Sequence, residues 1–101
     1  MPRIVGIFED GSAVEGVVEQ LQLNGLTQVT VIGPEQAAEE QAQHLSIMHV
    51  PDQQAAEYRR RLQDQRWLLF VQVTALELPT AQRALRAGEA IDIDLLPEGV
   101  L

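Results

Sequence analysis

Trp67-Leu68-Leu69-Phe70-Val71-Gln72-Val73-Thr74 is the stretch that decides the fold. Trp67, Leu69, Val71 and Val73 share one face at a period of two, and Leu68 and Phe70 share the other. Apolar residues on both parities mark a strand covered on both sides, which predicts a central position in its sheet, at least over the first half. Arg3 to Phe8 has the same character, with Ile4 and Phe8 on one face and Val5 and Ile7 on the other. Gly6 in its middle leaves room for a helix or another backbone to come close. Thr27 to Ile32 is a β-branched strand stopped by Gly33-Pro34. Ala90 to Leu96 alternates, which predicts Ile91, Ile93 and Leu95 inward and Asp92 and Asp94 outward on a half-buried strand whose charges discourage edge-to-edge association.

Helices separate these strands. After the turn Glu9-Asp10-Gly11, the segment Ser12-Ala13-Val14-Glu15 has the form of a capping box. Val14, Val17, Val18 and Leu21 then make the i, i+3, i+4, i+7 stripe of an amphipathic helix. Asn24-Gly25 supplies its left-handed end, with Leu26 packing back on the last turn. Glu35 to Gln43 fits either a short helix with Ala38, Ala42 and Leu45 inward or a mobile connection, and Ser46 to Val50 either an extra strand or a link between helices. Pro51 suits a helix start, followed by an inward stripe of Ala55, Tyr58 and Leu62, joined in one reading by Ala56. Pro79 opens a further helix with Ala81, Ala84 and Leu85 inward, closed by Gly88.

The order is strand, helix, strand, one or two helices, strand, helix, strand. It predicts an α+β protein: a ferredoxin-like split βαβ sandwich with an inserted helical segment between its halves. Residues 1–101 form one domain, with 34–50 as the variable connecting segment. The crossover helices cover one sheet face, yet the first and third strands are apolar on both. The inserted helices or a second subunit must cover the other face. Burying two such faces removes several hundred Å², on the order of 10 kcal/mol at about 25 cal/mol per Å² before entropy. A homo-oligomer, most simply a symmetric dimer, is the expectation.

Composition narrows the function classes. The net charge is -8, which repels phosphate backbones and anionic headgroups and disfavours nucleic acid as a partner. All seven Lys/Arg positions are arginine, which removes Schiff-base and P-loop lysine chemistry. There is no cysteine, hence no disulfide, thiolate zinc site or thiol nucleophile. No apolar run approaches the roughly 18 residues of a membrane span, and the N-terminus lacks the form of a signal peptide. A cytoplasmic protein with no membrane association is expected.

No constellation identifies a catalytic residue, a cofactor or a resident metal. His44 and His49 are five apart, off the i, i+4 spacing that co-ligates a metal. Asp92 and Asp94 read as a solvated edge face. Glu9 and Asp10 read as turn and cap residues. Arg59, Arg60, Arg61 and Arg66 are the one basic cluster of an acidic chain. They read as a solvated helix face, with carboxylate or phosphate recognition, or a grip on Asp92 and Asp94 of a second subunit, as the functional alternative. With His44 and His49 they are the candidate ligand or interface contacts.

The opening Ile4-Val5-Gly6-Ile7-Phe8-Glu9-Asp10, followed by a helix and a β-branched strand, resembles the start of the bacterial general-stress protein domain of the YflT type. Val50-Pro51-Asp52-Gln53-Gln54-Ala55-Ala56-Glu57-Tyr58 is similar to that family's Ile-Pro-x-x-x-Ala-x-x-Tyr helix start. Two features depart from the family. The stretch from Pro34 to His49 is rich in Gln, Glu and Ala where many members are glycine-rich, and Gln65-Arg66 stands where a glycine usually precedes the third strand. The resemblance implies a stress-associated protein and carries no catalytic residue. The leading expectation is a small, non-enzymatic stress or accessory protein acting through oligomerisation and protein contacts. The alternatives are a small-ligand or anion-sensing domain, with Arg59 to Arg66 receiving the anion, and a small dimeric ferredoxin-like enzyme using His44, His49 or Glu9 in a deep pocket.

Overall fold

Ile4, Phe8, Leu69 and Val71 gather in one hydrophobic cluster, and Val5, Ile7, Leu68 and Phe70 in another. The two parities of the strands Arg3–Phe8 (β1) and Trp67–Gln72 (β3) thus feed two separate cores, as their two-sided apolar pattern predicts. The computed structural model describes residues 2–47 and 50–96. Around these strands run α1 (Gly11–Leu23), β2 (Val29–Ile32), α2 (Ala38–Ile47), α3 (Asp52–Gln63), α4 (Leu78–Ala87) and β4 (Asp92–Leu96).

The four strands form one sheet in the order β2-β3-β1-β4, and every neighbouring pair is antiparallel. The chain is therefore a small α+β protein with two strand–helix–strand units, β1-α1-β2 and β3-α4-β4. Each unit's strands are separated by one strand of the other. The sheet is sandwiched. Val14, Val17 and Leu21 of α1 and Ala81 and Leu85 of α4 bury on the β1 face that carries Ile4 and Phe8. Leu45 of α2 and Tyr58 and Leu62 of α3 bury on the opposite face. The inserted segment thus covers the second sheet face within one chain, so that face no longer calls for a second subunit. Gly6 is needed where it stands, because a Cβ there would lie 2.9 Å from Leu85 Cδ2 and 2.8 Å from the Phe8 ring.

Helices α1, α3 and α4 end alike. In each, the second residue past the cap donates its amide back across the last turn: Leu26 to Leu21 O, Arg66 to Arg61 O and Ala90 to Leu85 O. This is the Schellman closure, whose preceding residue takes a left-handed conformation. Gly25 does so with φ 80°, as the sequence predicts; at the other two ends the position falls to Gln65 (φ 66°) and Glu89 (φ 61°). Gln65 thus occupies the site where a glycine would be least strained. Gly88 closes α4 as expected, as its cap at φ -82°.

Several local expectations are corrected. The first helix is capped by Asp10, whose Oδ1 accepts from Ala13 N–H at 2.9 Å, and not by Ser12. A reciprocal capping box does occur, at Thr74 and Glu77: Thr74 N–H donates to Glu77 Oε1 at 2.9 Å and Glu77 N–H to Thr74 Oγ1 at 3.2 Å. On α2 the inward residues are Gln41 and Leu45, while Ala38 is exposed. Gln41 is tolerated because its amide donates to Gly33 O at 3.0 Å, a carbonyl that also accepts from Gln36 N–H at 3.2 Å. Ser46 and Ile47 extend α2, so no extra strand begins there. Ala56 of α3 is exposed. Ile93 of β4 packs inward, but Leu95 and, just before the strand, Ile91 are exposed.

Candidate functional site

The arginine cluster does not converge. Arg61 reaches from α3 to Asp92 on β4, with Nη2 to Oδ2 at 2.6 Å, and its Nε lies 3.5 Å from Glu57 Oε1. Arg60 pairs with Glu57 at 3.3 Å on the same helix. Arg66 pairs with Glu9, at the end of β1, also at 3.3 Å. Beside these pairs the Tyr58 hydroxyl donates to Asp94 Oδ2 at 3.1 Å. Burial of the phenol, seconded by the Asp94 carboxylate, raises the Tyr58 pKa well above the ordinary 10. The expected solvated face of Asp92 and Asp94 is therefore turned toward α3 and tied to it. The grip pictured between two subunits is made within one chain.

Arg59 forms no ion pair with a described residue. It stands at an open groove of about 490 Å³ between α2 and α3, with Leu45, Ser46, Asp52 and Ala55 among its walls. His44 lies on α2, partly buried, and its shielded Nδ1 has no hydrogen-bond partner among the described residues. His49 lies outside the described residues. Glu9 is exposed and engaged by Arg66. Among the described residues no group of three or more His, Asp or Glu side chains is placed to hold a metal ion. None of the described helices is long and apolar enough to cross a membrane.

A second feature lies at the opposite edge, and it escaped the reading of the sequence. Val14 and Val18 of α1, Val31 of β2 and the ring of Trp67 line an open, mostly apolar hollow of about 350 Å³, flanked by Glu15 and Glu19. The Trp67 ring sits between two glycines. A Cβ on Gly33 would lie 2.6 Å from it, so that residue must lack one for the ring to lie there, and a Cβ on Gly11, at 3.0 Å, would crowd it. Glu35 adds a third carboxylate over Gly33. None of the three glutamates pairs with a described cation. The signal in the sequence is slight: two glutamates four apart on α1 flanking its apolar stripe, and glycines at the start of α1 and just past β2.

No family model matches the chain, and no curated protein matches it.

Proposed function

We propose that this chain is a small, non-enzymatic, cytoplasmic accessory protein that works through protein contacts. The strand order and antiparallel pairing support a ferredoxin-like split βαβ sandwich with α2 and α3 inserted between its halves. The resemblance to the YflT-type stress domain supports a stress-associated role. One observation carries the functional reading. Most of the arginine cluster and the carboxylates near it are paired with each other across the fold, as in Arg61–Asp92, Arg66–Glu9 and Tyr58–Asp94, and do not face a cavity together. Such ties brace α3 against β4, and the link between α3 and β3 against the end of β1, and leave the outer surfaces to do the work. With α2 and α3 over the second face, a homodimer would have to join through a sheet edge or outer helix surface.

The Arg59 groove favours a second reading, a small-anion sensor, because Arg59 is the member of its cluster left without an ion pair among the described residues. Thermal melting against a panel of inorganic anions and metabolites separates the two. A site-binding ligand at 100 times its dissociation constant adds about 2.7 kcal/mol, which is on the order of 10 °C or more for a domain this size. No such rise is expected. A saturable rise that Arg59→Ala removes overturns the contact reading in favour of the sensor.

A further inference from the structure

We infer that the free edge of β2 is a docking site for an extended, basic segment of a partner protein, added as a fifth strand. This rests on the contact reading above and names its surface and partner class. Among the described residues, β2 pairs only with β3. Gln72 N–H donates to Gln28 O at 3.0 Å, so by the alternation of an antiparallel ladder Thr30 and Ile32 turn their backbone groups toward β3. The N–H and C=O of Val31 and the C=O of Val29 then point away from the sheet. The Val29 N–H is turned back on Thr27 O at 3.1 Å. The strand itself is Val-Thr-Val-Ile, β-branched throughout, with no charge and no proline to block an incoming chain.

The side chains specify what would be added. Val29 and Val31 pack toward the α1 side of the sheet. A residue opposite Val31 on an added strand points to that same side, over the hollow of Val14, Val18 and Trp67. An apolar side chain fits there. Its neighbours two positions away come beside Glu15, Glu19 and Glu35, where arginine or lysine finds a carboxylate and the Trp67 face. The recognised pattern is basic-x-apolar-x-basic, with the backbone giving affinity and alternate side chains giving specificity. A second copy of this chain is the poorer occupant. A two-fold axis at Thr30 would set the acidic flank of α1 against its own image, in a protein of net charge -8.

The test uses the full chain, isotope-labelled for amide NMR, titrated with the peptide acetyl-Thr-Arg-Thr-Val-Thr-Arg-Thr-amide at low and at physiological ionic strength. The Val29 and Val31 resonances are expected to shift and the Val31 amide to exchange more slowly, with a dissociation constant on the order of 0.1 mM. Replacing both peptide arginines by glutamate should abolish this. Reversing the exposed pair, Glu15→Lys with Glu19→Lys, should weaken binding about tenfold without unfolding the protein. Absence of binding, shifts confined to the α2–α3 groove, or indifference to the Glu15/Glu19 reversal each overturns the inference. So does a dimer, by light scattering, whose Val31 amide is protected without peptide; the contact reading would survive that result. Only a saturable small-ligand melting rise removed by Arg59→Ala, measured on the same protein, overturns the reading beneath it.

Discussion

The two edges of the sheet, β2 and β4, occupy equivalent positions and are built on opposite principles. β4 carries a carboxylate at every second residue. Asp92 and Asp94 are each held by a side chain of α3, and Leu96 is buried beneath. β2 carries no charge, is anchored by the fully buried Ile32, and leaves its outer backbone groups without such cover. Edge strands invite pairing with other chains, and inward-pointing charge is a recognised guard against it. In β4 the guard and the anchor share one face of the strand. In β2 the anchor is apolar and the guard is missing, so one edge is closed by chemistry and the other is available.

The largest expected effect tests the anchors. Ile32→Ala should lower stability by about 3 kcal/mol, the usual range for a fully buried aliphatic truncation, and lower the melting temperature by on the order of 15 °C. Leu96→Ala should cost a comparable amount globally, but the contrast lies in local opening. With Leu96 truncated, β4 keeps its two ties to α3, so its amides should stay protected in hydrogen exchange. With Ile32 truncated, β2 keeps only the Gln41 bond to Gly33 O just past its end and should exchange sooner. Equal loss of protection at both edges would break the distinction drawn between them.

Next in size is the Tyr58–Asp94 tie. Asp94→Ala leaves a buried hydroxyl without its acceptor and should cost about 2 kcal/mol, whereas Tyr58→Phe removes the donor as well and should cost about 1 kcal/mol or less. Denaturant titration of the two variants gives the order. A Tyr58→Phe loss larger than that of Asp94→Ala would mean the hydroxyl has another role.

The same tyrosine gives β4 a pH signature that β2 lacks. Its pKa is raised in the folded state, first by burial and then by Asp94, so the folded protein holds the phenolic proton after the unfolded chain has lost it. The unfolded state then binds fewer protons, and stability falls as pH rises above about 10, by at most ~1.4 kcal/mol per pH unit for one group. Below that pH the contribution is fully present. Melting between neutral and strongly alkaline pH should show this fall in the native protein and its loss in Tyr58→Phe. The Val29–Ile32 strand contains no titratable group and adds nothing to the slope.

Much of this contrast could be read from the sequence, but not which way β4 faces. The two-sided character of β1 and β3 follows from apolar residues on both parities, a signal that survives any choice of partner. The alternation in β4 says only that two faces differ. Assigning Asp92 and Asp94 to solvent assumed that nothing lay on their side, whereas α3 brings Tyr58 and Arg61 across 36 and 31 residues of chain. Such pairs carry no local spacing to detect. The inward place of Gln41 is hidden for a related reason, because it depends on the Gly33 carbonyl just past the end of β2. The Trp67 hollow needs three segments, α1, β2 and the start of β3, to meet before it exists.

The smallest effect concerns the ion pair that completes the β4 edge. Arg61 and Asp92 meet at 2.6 Å, but their side chains remain 29% and 49% exposed. At that exposure solvent screens most of the attraction, and a double-mutant cycle of Arg61→Ala and Asp92→Ala should return a coupling of only about 0.5 kcal/mol. It should shrink in about 1 M salt, where the Debye length is about 3 Å. A coupling this small assigns Asp92 chiefly to guarding the edge, with the anchoring left to Leu96 and the Tyr58–Asp94 bond. Asp92→Thr should then leave stability nearly unchanged while raising self-association at high concentration, making β4 behave as β2 does. If stability falls by more than about 1.5 kcal/mol with no change in association, Asp92 is an anchor, and the two edges differ in how they are fastened and not in how they are guarded.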